Sequence, residues 1–254
     1  MIDIQCSGAK KHSSHFVQTD RRSTQDNVDW IQKHFEEGSD AAHLILIGGI
    51  DPISLRLRMA QAKARQDYTP SHWSHVCFMQ KPAKRFGQTS VLEIRVDPPG
   101  GFDYPPSTNA VQKGKLDDYR DSKRFPNVAL MRLPIRRTKV DEVCKQFKMQ
   151  RNVVSGVDNL TAWLAYVWGV THATNPLLNE VGIPSAVFLE YVVGAVGFDL
   201  TPGLASRASC PEAIWQTARW WHEFYEADMD EGSNDSTHPI VGQWTTPHDL
   251  HYEG

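Results

Sequence analysis

Cysteine is scarce and scattered. Cys6, Cys77, Cys144 and Cys210 are the only four in 254 residues, and no two stand close enough for a CxxC pair or a zinc spacing. That excludes a disulfide-stapled scaffold or a zinc ribbon, and it predicts buried, free thiols in a reducing compartment. Positive charge is not in excess either. The 27 Lys and Arg against 30 Asp and Glu give a net charge of -3, so no nucleic-acid partner is expected. No run reaches the roughly 18 apolar residues of a membrane span. The first sixteen residues have no apolar stretch of the kind a signal peptide needs. Repeats and low-complexity blocks are missing as well. These absences predict a protein without a stable membrane span, cytoplasmic as synthesised, whose export would need a route that reads no signal peptide. What is present, 40% apolar and 22% charged residues, suffices for a full core.

Within that frame the most apolar stretch is Gly182–Gly203. Pro184 and Ser185 open it, and apolar residues from Ala186 to Val196 follow, which predicts a buried helix with Ser185 in its first turn. Gly197 suits a left-handed cap, and Leu200-Thr201-Pro202-Gly203 suits a turn. Taken alone, Ser185 reads as an N-cap. Upstream, His43–Gly48 is a short apolar run that predicts a buried strand. Further strands are expected at Ser74–Gln80, Ser90–Val96 and Asn127–Leu133. Alternation puts His75, Cys77 and Met79 on one face of the second strand, and Val91, Glu93 and Arg95 on one face of the third. Glu93 in so apolar a setting needs a partner, with Arg95 or Arg132 as candidates. Helices are expected after Ser23 or Thr24, from Pro52, over Lys139–Arg151, over Leu160–Val170 and over Pro211–Asp228. Residues 97–126 form a long connection, residues 1–23 an irregular arm, and residues 229–254 an extended tail. The domain division is thus 1–39 for the arm and first helix, 40–228 for the main domain, and 229–254 for the tail. In the last helix Trp215, Trp220, Trp221 and Tyr225 predict core packing, with room for part of the cluster to face a sugar ring or an apolar chain.

The order of these motifs resembles the circularly permuted papain-like hydrolases, the YiiX/YaeF-like branch of the NlpC-type cell-wall peptidases. The similarity runs over roughly residues 40–215. In that branch a Ser-His-Val-like motif opens a strand, a Val-Leu-Glu-like motif follows on the next, and a Cys opens a helix that leads to a Leu-Thr-Pro turn. Here Ser74-His75-Val76, Val91-Leu92-Glu93 and Leu200-Thr201-Pro202 match in that order. The resemblance implies an α+β fold, with a central antiparallel sheet packed against helices. It implies an amide or peptide hydrolase without cofactor or metal, with His75, Glu93 and position 185 as catalytic residues. Trp73, Ser74 and Ala186, their chain neighbours, stand as candidate substrate-binding residues. The implied substrate is bacterial cell-wall peptide, with an acyl group second. An exported antibacterial effector of this kind would meet secretion machinery and an immunity protein.

One position departs from the family. Pro184-Ser185-Ala186 stands where the family carries Cys followed by Ser-Glu. Three readings stay open: Ser185 is a serine nucleophile, Ser185 silences the site, or another thiol, Cys210 or Cys77, is the nucleophile. A serine hydroxyl needs a neighbouring base, because it does not ionise by itself as a thiol does. His72 with His75 and Glu93 is not a standard zinc spacing. Beside the hydrolase stands a second class, a binding module with the same cleft and an inert Ser185.

Overall fold

The computed structural model describes residues 16–22, 24–65, 67–98, 101, 106–149, 155–169, 172–230 and 240–250. Residues 1–15 of the expected arm, Cys6 among them, and residues 231–239 and 251–254 of the expected tail lie outside them. In chain order the elements are β1 (Phe16–Gln18), α1 (Asn27–His34), β2 (Ala41–Gly48), α2 (Pro52–Ala60), β3 (His75–Met79), β4 (Ser90–Glu93), β5 (Gln112–Lys115) and β6 (Asn127–Arg136). Then come α3 (Arg137–Met149), α4 (Gly156–Val167), α5 (Pro184–Ala195), α6 (Pro211–Asp230) and β7 (Val241–Thr245).

The strands form one seven-stranded sheet in the order β1-β7-β6-β2-β3-β4-β5. The α+β class is as expected, but the sheet is mixed: β1 pairs with β7 in parallel, and the other pairs are antiparallel. The difference comes from three strands in stretches read as arm, connection and tail. Only neighbours supply their pairing, because segments of three to five residues are too short to carry a period of their own.

Alternation along the strands divides the core into two layers. On one face Leu44, Leu46, Val76, Phe78, Ala129 and Met131 pack under residues of α2 to α6, among them Val140, Trp163, Phe188 and Trp215. On the other face Ile45, Ile47, Cys77, Met79, Val128 and Leu130 pack against Trp30 and Ile31 of α1 and against Leu116, Tyr119 and Phe125. A strand covered on both sides reads as a continuous apolar run, which is why β2 is visible as one in the sequence.

Helix starts follow local chemistry. Asp26, rather than Ser23 or Thr24, caps α1 by accepting from Asp29 N at 2.9 Å. Asp51 caps α2 through Ser54 N at 3.0 Å, with Pro52 at the start. The chain entering α5 is pinned from three sides. Gly182 N donates to Arg207 O (2.7 Å), Ile183 N donates to Ser209 O (2.9 Å), and Gly182 O accepts from Trp163 Nε1 (2.7 Å). A Cβ at Gly182 would stand 2.3 Å from Ser209 O, so only glycine allows the approach. At its far end α5 stops as expected, with Gly197 at φ +90° and Phe198 N closing on Val193 O at 3.2 Å. Trp163 is fully buried. Trp163→Phe leaves Gly182 O without its donor and is expected to cost about 2 kcal/mol, read as a lower denaturant midpoint at unchanged m.

Candidate functional site

β3 begins at His75 because the loop before it is tied to the end of β2: Ser74 N donates to Ile47 O at 2.8 Å, and Ser74 Oγ accepts from Gly49 N at 3.1 Å. From there His75 points to the α1 side of the sheet, the face of Cys77 and Met79. Glu93 ends β4 on the same face, as alternation predicts. Its Oε2 accepts from His75 Nε2 at 2.7 Å and from the Tyr119 hydroxyl. The His75 and Tyr119 rings stack with centroids 5.8 Å apart, and the Arg95 guanidinium lies 4.9 Å from the Tyr119 centroid. A Cβ on Gly114 of β5 would come within 2.3 Å of Glu93 Oε1, so that glycine makes room for the carboxylate.

Electrostatics hold this group charged. Burial would raise the Glu93 pKa. The hydrogen bond and charge of His75, the Arg95 charge and the Tyr119 hydroxyl outweigh it and leave the carboxyl below its ordinary value. Burial and the Glu93 charge push the Tyr119 phenol well up against the opposing charge of Arg95, so it stays a donor. Arg95, 8% exposed, is desolvated, yet the carboxylate charges around it, Glu93 foremost, keep it protonated. Its Nη1 has no hydrogen-bond partner. Of the two arginines expected to balance Glu93, Arg95 is thus the one beside it, while Arg132 pairs with Glu36 at 3.3 Å.

His75 and Arg95 line a narrow cleft of about 30 Å³, with Ser54, Ser74, Asp97 and Arg124 also on its walls. Arg124 sits on the rim between two carboxylates, 3.8 Å from Asp51 Oδ2 and 3.6 Å from Asp97 Oδ2. Such exposed pairs contribute little to stability. With Nε2 committed to Glu93, the ring nitrogen left for chemistry is Nδ1 of His75.

The other expected site residues lie elsewhere. Ser185 is buried in the second position of α5, whose Phe188 and Leu189 pack on the Val76 and Phe78 face of the sheet, opposite to His75. Its Oγ has no hydrogen-bond partner, so His75 is not bonded to it. Ile183 caps α5 without a side-chain acceptor, and the first-turn N–H groups are left uncapped. Trp73 and Ala186 are fully buried, Trp73 edge-on to Trp215 at 4.8 Å, and Ser74 alone of the three lines the cleft. The thiols are held protonated: burial raises Cys77 well above its ordinary range and Cys210 to about 12. His72 turns away to Asp249 (3.6 Å), and burial lowers it to about 4. Among the described residues no three His, Cys, Asp or Glu side chains group as metal ligands, and no helix is long and apolar enough to cross a membrane.

Tyr119 was not legible in the sequence, since it lies in a short turn of an aperiodic connection. Arg95 was legible only as a residue on the face of Glu93. No family model matches the chain, and no curated protein or solved structure matches it either.

Proposed function

We propose that this chain has the build of a papain-like amide hydrolase in which the base half, His75 and Glu93, is kept and Ser185 is silent. The cleft then holds a carbonyl or carboxylate oxygen of a bacterial cell-wall peptide without cleaving it. The observation that supports this is that Arg95, whose buried Nη1 has no hydrogen-bond partner, lines the same cleft as His75, the partner of Glu93. A buried donor without a partner costs about 1–3 kcal/mol, more for a charged group, and an incoming oxygen removes that cost. The space admits a group of water size or somewhat larger, since a cavity of roughly 10–15 Å³ already holds a water. With its Nε2 proton given to Glu93, His75 Nδ1 supplies the second contact by accepting from a peptide N–H beside that oxygen, and Glu93 fixes the ring.

Titration calorimetry with a purified wall stem peptide tests this. The chain as given is expected to bind and leave the peptide intact by mass spectrometry, with His75→Ala about tenfold weaker, the worth of one good polar contact. Binding that His75→Ala does not change, or no binding at all, sinks the reading.

A second reading makes Ser185 a working nucleophile on a peptide or an acyl lipid, as in an exported effector held in check by an immunity protein. Its support is the unpaired, buried hydroxyl in the first turn of α5, where backbone N–H groups and the positive helix end would hold an oxyanion; since His75 lies on the other face of the sheet, this reading needs a base other than His75. Cleavage in the same experiment, lost in Ser185→Ala, would establish it in place of the first.

A further inference from the structure

A second, larger concavity shares no lining residue with the His75 cleft. It measures about 620 Å³ and lies between Arg65, Asp67 and Pro202 and the middle of α6. That volume falls within the roughly 300–1,000 Å³ of small-molecule sites. Its walls carry Arg65, Asp67, Gln216, Arg219, Trp220 and Glu223. Trp220 is the aromatic side chain on these walls: it is 52% exposed, whereas Trp215 on the same helix is core at 1%. The edge of Trp221, with centroids 4.6 Å apart, steadies the ring. The Tyr225 side chain lies outside the described set.

The charges around this indole balance. Arg65 Nη2 pairs with Asp67 Oδ2 at 2.7 Å, and Arg219 Nη2 lies 3.4 Å from Glu223 Oε1. Two cations and two carboxylates, each matched, leave no field for a phosphate or a polyanion. They do leave planar groups with donors and acceptors to spare, since a guanidinium carries five N–H bonds. Much of this rim is fixed in advance. Arg65 Nη1 donates to Pro70 O at 3.1 Å, Thr69 Oγ1 donates to Asp67 Oδ1 at 2.9 Å, and Gln216 Nε2 donates to Glu212 Oε1 at 2.6 Å.

A flat apolar platform ringed by fixed, charge-balanced planar polar groups matches one ligand chemistry. A pyranose ring with equatorial substituents shows an apolar face of C–H bonds and a girdle of hydroxyls in its plane. We propose that this groove binds a neutral, β-linked oligosaccharide, with one ring stacked on Trp220 and its hydroxyls met by Arg65, Asp67, Gln216 and Glu223. The proposal stands on the groove alone and does not depend on His75.

The full chain is titrated with N-acetylchitotetraose and with cellotetraose, and calorimetry and the indole N–H resonances report binding. Saturable binding of at least one sugar is expected, with the Trp220 resonance shifting. Trp220→Ala is expected to weaken it by about tenfold or more and Trp220→Phe by less, since stacking area carries the contact. Neither sugar saturating the chain overturns the proposal. So does binding that leaves the Trp220 resonance in the unsubstituted chain unmoved, a readout that holds even if a variant misfolds.

Discussion

Glu93→Gln is expected to destabilise the protein by about 3 kcal/mol, the usual cost of breaking a buried, paired charge from one side. Glu93 is 1% exposed and takes hydrogen bonds from His75 and Tyr119, with the Arg95 charge close by. The amide can keep part of the hydrogen bonding, but it cannot balance Arg95. The pH dependence gives this loss a signature. The folded Glu93 carboxyl sits below its ordinary value. Its contribution is therefore fully present above the unfolded pKa of about 4.3 and is lost as the pH falls through the folded value. Chemical denaturation at several pH values should show the gap between parent and variant closing in acid. A gap of constant size would mean that the variant disturbs packing and not charge.

Glu190→Gln should act in the opposite sense. Glu190 lies on α5, 4% exposed, and its Oε1 accepts from Thr201 Oγ1 (2.7 Å) and Ser209 Oγ (3.0 Å). Burial raises its pKa to about 7 in spite of those hydroxyls. The folded state therefore holds its proton where the unfolded chain has released it. Between the ordinary 4.5 and about 7 the protein loses about 1.4 kcal/mol of stability per pH unit, and above that the loss stays constant. The glutamine keeps an acceptor for both hydroxyls and has no proton to release. Glu190→Gln is expected to be more stable than the parent by about 3 kcal/mol at alkaline pH and about equal to it near pH 4. Denaturant midpoints across that range check this, and a variant less stable at every pH contradicts it.

The two carboxylates also show where sequence reasoning succeeds and where it stops. Alternation places Glu93 and Arg95 on the face of His75, because period two is fixed by the backbone itself. It does not show Tyr119, which reaches the pair from a short turn between β5 and β6 whose residues carry no period. The apolar run of β2 and the Pro184 and Gly197 boundaries of α5 are legible because burial and backbone conformation dictate those residue types. Strands such as Gln112-Lys113-Gly114-Lys115 are not, because an edge strand of three polar residues and a glycine is made by its partner. The order of His75, Glu93 and Ser185 along the chain is plain in the sequence. The face of the sheet on which each element lands is not, and the packing of α5 opposite to His75 separates Ser185 from the pair.

In the proposed function Glu93 holds His75 through Nε2 and leaves Nδ1 to meet a ligand in the cleft. Nitrogen-15 NMR of the imidazoles, with His75 assigned through His75→Ala, observes this directly. Neutral His75 is expected to carry its proton on Nε2, Glu93→Gln to weaken this preference, and a wall stem peptide to shift the Nδ1 resonance. A proton on Nδ1, or a ring that the peptide leaves unchanged, would contradict it.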